Sequence, residues 1–412
     1  MESKQFKEIK GGVVAPKGFQ CNGIACGVKV LDSKRLDLGL IVSEVPAVAA
    51  ATFTSNKFKA APVRVSKAHL ASNGSIRAIV TNSGNANACT GPRGINDAKR
   101  MTAVTGEALD VKPNHVLVCS TGIIGVPMPM DRIEAKIPKL VSGLQSTSGD
   151  NFAKSIMTSD TLMKSFAIEV PLGTKTVRIG ASAKGAGMIR PNMATMLCFI
   201  TTDAAIGKAE LRMMTQSAVE QSFNRISIDG DTSTNDTVIV LANGTAGNRK
   251  IQGGSPSARK FRQALDYVML HMAKLLVSDG ERVTKFVEIQ VRGAASFTDA
   301  KKVAEAVANS MLVKCSWNGS DPNWGRVMHA IGYSRARVRE ELVDIYFDGL
   351  CAAKSGLVTE TPIEKLKAAV AKREFTVTID LNLGEAEHSV FTSDLSQEYV
   401  DYNRAEYAVR VS

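Results

Sequence analysis

The sequence predicts an α/β fold of mixed sheets and packed helices, on three observations. Short β-rich runs recur at residues 77–81, 116–120, 166–170, 177–180 and 237–242. Helical patterns lie between them: Phe261, Leu265, Val268, Met272 and Leu275 share one face of the stretch 257–277, and Leu211, Met214 and Ala218 mark a second helix over 208–223. The chain has 412 residues, 44% of them hydrophobic, ample apolar material for a large buried core.

Further elements follow from local pattern. The apolar run 196–200 reads as a buried strand, entered from a loop bent at Pro191. Near the end, residues 376–382 alternate apolar and polar, Asn382-Leu383-Gly384-Glu385 supplies a turn, and residues 389–392 follow, which predicts a β-hairpin. The Gly/Ser/Pro-rich stretch 251–257 reads as a loop rather than a domain boundary. No internal repeat or low-complexity tract interrupts the chain.

Composition narrows the function classes. The formal net charge is +11, yet the basic residues are scattered, and the densest stretch, 334–341, ends in Glu340 and Glu341. No basic stripe interleaves with aromatics, so neither nucleic acid nor membrane is expected as a partner, and the excess charge suits small anions. No apolar run is long enough to span a bilayer, and the first residues lack an apolar signal core, so a cytoplasmic location is expected. The cysteines number seven and form no CxxC pair, which fits reduced thiols. The five histidines show no metal spacing, and the nucleophile elbow, the phosphate loop and the dinucleotide fingerprint are all missing. The run Asp229-Gly230-Asp231-Thr232-Ser233 resembles a calcium loop, but its glycine stands at the wrong position and no Glu closes it. An enzyme with this sequence is expected to need no metal and no cofactor.

Two glycine-rich stretches remain. In Lys184-Gly185-Ala186-Gly187-Met188-Ile189-Arg190-Pro191-Asn192-Met193-Ala194-Thr195-Met196-Leu197, Thr195 stands where the loop enters the predicted strand. The plain reading is punctuation before a core strand. The sharper one is that the Thr195 hydroxyl attacks the Ala194 carbonyl, shifts the acyl group from nitrogen to oxygen, and is freed by hydrolysis as a new N-terminus. Its α-amine, with an ordinary pKa of about 7.7–8.0, would then serve as its own base. In Cys119-Ser120-Thr121-Gly122-Ile123-Ile124-Gly125, a tight turn at a strand end can aim a hydroxyl and a backbone N–H at one point, as an oxyanion hole requires, or can be an ordinary β-turn.

These stretches carry a family resemblance. Residues 184–197 resemble the KGxGMxxPNMATML signature of the bifunctional ornithine acetyltransferase / N-acetylglutamate synthase family of arginine biosynthesis. Residues 81–91 are similar to its TNSGNANACTG segment, 120–125 to its STGxIG turn, 159–161 to its DT segment, 227–237 to its SIDGDTSTNDT run and 321–326 to its DPNWGR motif. The resemblance implies an α/β chain self-cleaved between Ala194 and Thr195 into fragments 1–194 and 195–412, intertwined in one catalytic unit and paired as α2β2. It implies that Thr195 carries acetyl from N-acetylornithine to glutamate, with acetyl-CoA as a donor in some members. Thr121 and Gly122 would form the oxyanion hole, and Thr161, Lys184, Thr195, Glu281 and Asn403 would bind the amino-acid substrate.

The sequence departs from the family at two places. Arg282 replaces a glycine beside Glu281, and Ala408 stands where the family carries a C-terminal hydroxyl, leaving Asn403 as the matching residue there. The rival reading is a self-processing N-terminal-nucleophile aminopeptidase or amidase, with water as acceptor. A non-catalytic relative is a third.

Overall fold

The structure, a computed structural model, describes residues 6–31, 33–72, 75–190 and 196–411. Two compact units are present: residues 1–185, 192–224 and 232–276 form the first, and 186–191, 225–231 and 277–412 the second. These units do not follow the division at position 194, because residues from both sides of it contribute to each.

In chain order the strands are β1 (Lys7–Glu8), β2 (Phe19–Ile24), β3 (Leu38–Phe53), β4 (Ile76–Asn85), β5 (Val116–Ile123), β6 (Lys164–Leu172), β7 (Lys175–Lys184), β8 (Leu197–Thr202), β9 (Ile226–Ser227) and β10 (Thr237–Ala242). Among the described residues, all of these except β9 form one nine-stranded sheet, ordered β1-β6-β7-β8-β10-β3-β4-β5 with β2 beside β3. β8 runs antiparallel to β7 and parallel to β10, with Lys184 opposite Leu197 and Leu197 opposite Thr237. Every residue of β8 and β10 is buried, as strands covered on both faces must be, which explains why both read as unbroken apolar or hydroxyl-bearing runs. In β3, β4 and β5 the pleat sends alternate rows to two different cores. Ile41, Ile79 and Leu117 join Phe19, Phe152 and Phe199, while Leu40, Val80 and Val118 join Met101, Ile133 and Ile137.

The second unit holds β9 and, further along the chain, β11 (Phe286–Ala294), β12 (Asp344–Phe347), β13 (Leu350–Lys354), β14 (Leu357–Val358), β15 (Glu374–Asp380) and β16 (Ala386–Ser393). Its order is β14-β13-β12-β15-β11-β16-β9. Val287, Ile289 and Val291 of β11 and Phe375, Val377 and Ile379 of β15 are buried at every second position. They meet Val303, Ala304 and Val307 of the helix Phe297–Ala308, together with the fully buried Trp317.

The expected hairpin is corrected here. β15 and β16 are not paired with each other. β11 lies between them, parallel to β15 and antiparallel to β16. The turn residues 382–385 therefore connect strands that are separated by a third. The place between them goes to β11, whose apolar face is the one the helices cover.

Lys314 of the second unit is buried and donates to Thr392 Oγ1 at 2.7 Å and to the Ser393 carbonyl at 2.6 Å. Burial pushes its ammonium down to about 7, against the opposing pull of Asp229 and Asp394. The unfolded chain thus binds the extra proton between pH about 7 and about 10, so this position's contribution to stability rises with pH across that window and is lowest below it. Lys314→Met is expected to flatten the dependence of Tm on pH between about 7 and 10. A slope unchanged by the substitution would show that the ammonium is not desolvated.

Candidate active site

The first unit brings Thr121, Gly122 and Lys184 together at one end of its sheet. Parallel pairing of β4 with β5 sets Ser83 opposite Thr121 and Gly84 opposite Gly122, and then breaks register, with Asn85 facing both Thr121 and Ile123. This irregularity needs glycine. Gly122 has φ 134°, and a Cβ there would lie 2.3 Å from the Gly84 carbonyl carbon. The turn is braced from below. Ser120 Oγ donates to Asn82 Oδ1 at 2.6 Å, and Asn235 Nδ2 donates to the Ser120 and Ala86 carbonyls at 2.8 and 2.7 Å.

Lys184 ends β7, and its ammonium is buried. Its Nζ donates to Thr158 Oγ1 at 2.6 Å and to Thr121 Oγ1 at 3.4 Å, with Asp160 Oδ2 at 3.9 Å. Asp160 organises this corner. Its Oδ1 accepts from Lys164 Nζ at 2.8 Å and from the Gly185 amide at 2.7 Å, and its Oδ2 accepts from the Thr158 amide at 2.9 Å. Burial alone would raise the Asp160 carboxyl, but the ammonium groups of Lys184 and Lys164 and the Gly185 amide outweigh it and hold the acid well below the usual carboxylate range. Thr161 is exposed in the turn that follows.

Ala194 and Thr195, the expected cleavage pair, lie outside the described residues. The chain is fixed immediately after them. The Met196 amide donates to Asp236 Oδ1 at 2.9 Å, and its carbonyl accepts from the Thr237 amide at 3.0 Å. Asp236 is fully buried, and its Oδ2 has no hydrogen-bond partner among the described residues. Burial pushes this carboxyl well above the ordinary range, opposed by the Met196 amide.

In the second unit, Glu281 and Asn403 come together, with Asn403 Nδ2 3.3 Å from Glu281 Oε2. The Glu281 amide donates to the Ala186 carbonyl at 2.7 Å, and a Cβ on Gly187 would lie 2.5 Å from Glu281 Cδ, so the second glycine of the signature leaves room for this carboxylate. Asp229 receives the Met188 and Ile189 amides, which anchors the start of the same loop. Arg282 has φ 55° and lays its guanidinium over the Tyr402 ring, 4.9 Å from the centroid. The positive φ explains why a glycine suits this position in the family, and the ring contact offsets part of the strain of carrying arginine.

Sequence reasoning missed Thr158, Asp160, Lys164 and Asp236. Asp160 and Asp236 both stand inside motifs that were recognised, but an acid flanked by Ser, Thr and Asn carries no signal of burial.

Among the described residues no group of His, Cys, Asp and Glu could hold a metal ion. Gly122→Ala is expected to lower the rate of acyl chemistry by a factor of about 10² or more, the loss typical of a displaced oxyanion-hole donor. Steady-state kinetics on the purified variant would check this, and an active alanine variant would show that the turn is not where the oxyanion forms.

The ArgJ family matches residues 20–408 of the chain. The arginine biosynthesis bifunctional protein ArgJ of Geobacter sulfurreducens is 48% identical over 388 residues, covering 94% of this chain and 98% of that protein. The glutamate N-acetyltransferase of Methanocaldococcus jannaschii is 45% identical over 413 residues, covering 98% of this chain and 100% of that protein. The crystal structure of the arginine biosynthesis bifunctional protein from Bacillus halodurans is similar at 36% identity with a TM-score of 0.49, covering 50% of this chain and 98% of that chain. With a match across nearly its whole length, the chain belongs to the ArgJ family.

Proposed function

We propose that the chain is an acetyltransferase of arginine biosynthesis that cuts itself between Ala194 and Thr195 and then carries an acetyl group from N-acetylornithine to glutamate on the Thr195 hydroxyl. The single observation that carries this reading is the buried Lys184–Thr121 contact beside Gly122, at the end of β7. β8, the partner of β7, opens two residues after Thr195, with Leu197 opposite Lys184.

In the transfer, Thr195 Oγ bonds to the acetyl carbonyl carbon and its proton passes to the Thr195 amine. The carbonyl oxygen becomes an oxyanion held by the Thr121 hydroxyl and the Gly122 amide. The C–N bond to ornithine then breaks, and the departing amine takes the proton from the Thr195 amine. Glutamate's amine attacks the resulting ester by the reverse path and restores the hydroxyl. Thr161, Lys184, Glu281 and Asn403 contact the amino-acid substrates in this reading, by match to the family's motifs. The scheme calls on no metal or cofactor, and acetyl-CoA enters only as a second donor. Fragments 1–194 and 195–412 stay together and pair as α2β2 in the cytoplasm. The interleaving of β8 and β10 among strands from before the cut supports their staying together.

Intact mass of the purified protein beside Thr195→Ala tests self-cleavage. Wild type is expected as two fragments divided at 194/195 and the variant as one chain, and a whole wild-type chain under native conditions would overturn the mechanism. N-acetylornithine consumption with and without glutamate tests the transfer. Dependence on glutamate is expected, and consumption indifferent to it would favour the aminopeptidase or amidase reading instead.

A further inference from the structure

The resemblance places Lys184 among the groups that hold the substrate. Its surroundings say more. An ammonium has three N–H donors and no acceptor, so Thr121 Oγ1, within 3.4 Å of Lys184 Nζ, takes the accepting role in that contact. The hydroxyl proton of Thr121 is then directed away from Lys184 and is free to be donated elsewhere. A hydroxyl that accepts from a cation in a site removed from water is a stronger donor than a lone one, because each hydrogen bond polarises the next. At 3.4 Å the contact is long, and catalytic hydrogen bonds of this kind tighten when charge develops on the reacting atoms.

The remaining contacts show how the ammonium is kept there. Lys164 Nζ is 2.8 Å from Asp160 Oδ1, whereas Lys184 Nζ stands 3.9 Å from Oδ2, beyond hydrogen-bonding distance. Lys164, Asp160 and Lys184 are all almost wholly buried, so the corner contains two ammonium groups and one carboxylate. Lys164 makes the close contact with Asp160, and Lys184 stands further from the same carboxylate. Thr158 contributes both to the corner and to the ammonium: its amide donates to Asp160 Oδ2, and its Oγ1 accepts from Lys184 at 2.6 Å. A carboxylate held by a second lysine and two backbone amides is a fixed point against which Lys184 is set.

We infer that Lys184 acts on the chemical step through the Thr121 hydroxyl, stabilising the oxyanion by polarising its donor, and that Asp160, itself fixed by Lys164, holds Lys184 in place for that task. Lys184 and Asp160 are thus positioning residues for the oxyanion hole. The inference rests on the acetyl-transfer reading and gives the buried cation a role that substrate binding alone does not.

A double-mutant cycle tests it. Lys184→Met, Thr121→Ala and the double variant are purified, the cleaved fraction of each is verified by intact mass, and the rate of acetyl-Thr195 formation from N-acetylornithine is followed by single-turnover quench. Each single variant is expected to lose roughly 10²–10³ in rate, the loss typical of one oxyanion donor, with KM for N-acetylornithine changed about threefold or less in Thr121→Ala and raised as well in Lys184→Met, which also loses its substrate contact. The double variant is expected to be no more than about twofold slower than the worse single, because both substitutions remove the same interaction. Single losses that multiply, or a Lys184→Met loss confined to KM, would overturn the inference. Where Lys184→Met yields no cleaved protein, Thr158→Val replaces it in the cycle. It removes one hydroxyl from the ammonium and is expected to lower the rate about tenfold with KM unchanged, and a loss in KM alone would again overturn the inference. A wild-type enzyme that forms no acetyl adduct removes the transfer reading itself, whereas an adduct in wild type with multiplicative losses removes only the role given to Lys184.

Discussion

The structure of the first unit turns on one register, the seating of β8 between β7 and β10. Leu197 faces Lys184 on one side and Thr237 on the other, and the pairing then runs unbroken to Thr202 on both sides. A slip by one residue would turn every side chain of β8 to the opposite face, moving Phe199 out of its contact with Phe152. It would also displace Met196 from Asp236 and Lys184 from the level at which the strand after Thr195 begins. A buried strand with apolar rows on both faces does not tolerate such a slip, since removing a side chain the size of Phe199 from its core costs about 1.5–3 kcal/mol. The positions of Lys184, Met196 and Asp236 are therefore inherited from packing rather than set by the site's own polar contacts.

Buried charge is the constraint that acts next. An isolated ammonium or carboxylate inside a protein is costly, and such groups persist when they are paired and hydrogen-bonded. Asp160 meets both conditions with two lysines and two amides. Asp236 meets them only in part: its Oδ1 accepts from the Met196 amide, its Oδ2 has no hydrogen-bond partner among the described residues, and burial pushes its carboxyl well above the ordinary range. Two acids in the same unit are thus shifted in opposite directions for reasons legible in their neighbours: the ammonium groups of Lys184 and Lys164 outweigh burial at Asp160, whereas burial outweighs the Met196 amide and Lys184 at Asp236.

Much of this was legible in the sequence, and the failures have physical causes. The strand Thr237–Ala242 and the helix Pro256–Ser278 match the expected stretches within a residue, because continuous burial and a helical stripe are strong local signals. β4 and β7 run four residues further than their apolar cores suggest, since Asn82, Ser83, Ser182 and Lys184 continue the ladder as buried polar residues. The long β3 went unseen, as Pro46 and a register shift between Val42 and Ala47 break its pattern. The hairpin at 376–392 failed because a turn signal reports that the chain reverses, not that the flanking strands are adjacent. Motifs located Thr121, Gly122 and Lys184, but not Asp160 or Asp236, whose roles depend on burial. Burial of a single acid is a property of the whole fold and has no local signature.

The same register bears on how a chain could be cut and remain whole. β8 follows position 194, yet it is hydrogen-bonded along its length to β7 from before it, while β10, also after it, is bonded along its length to β3. Separating residues on the two sides of position 194 would require breaking both ladders and exposing strands that are buried on both faces. The loss would be comparable to unfolding the sheet. A single peptide bond at 194/195 adds little to that cohesion. Its hydrolysis would release only the chain ends beside it, where Met196 is already fixed by Asp236 and Thr237. A strand that opens at Leu197 and ladder bonds that bypass position 194 are what self-processing there would require of a scaffold. In this chain both follow from one sheet order.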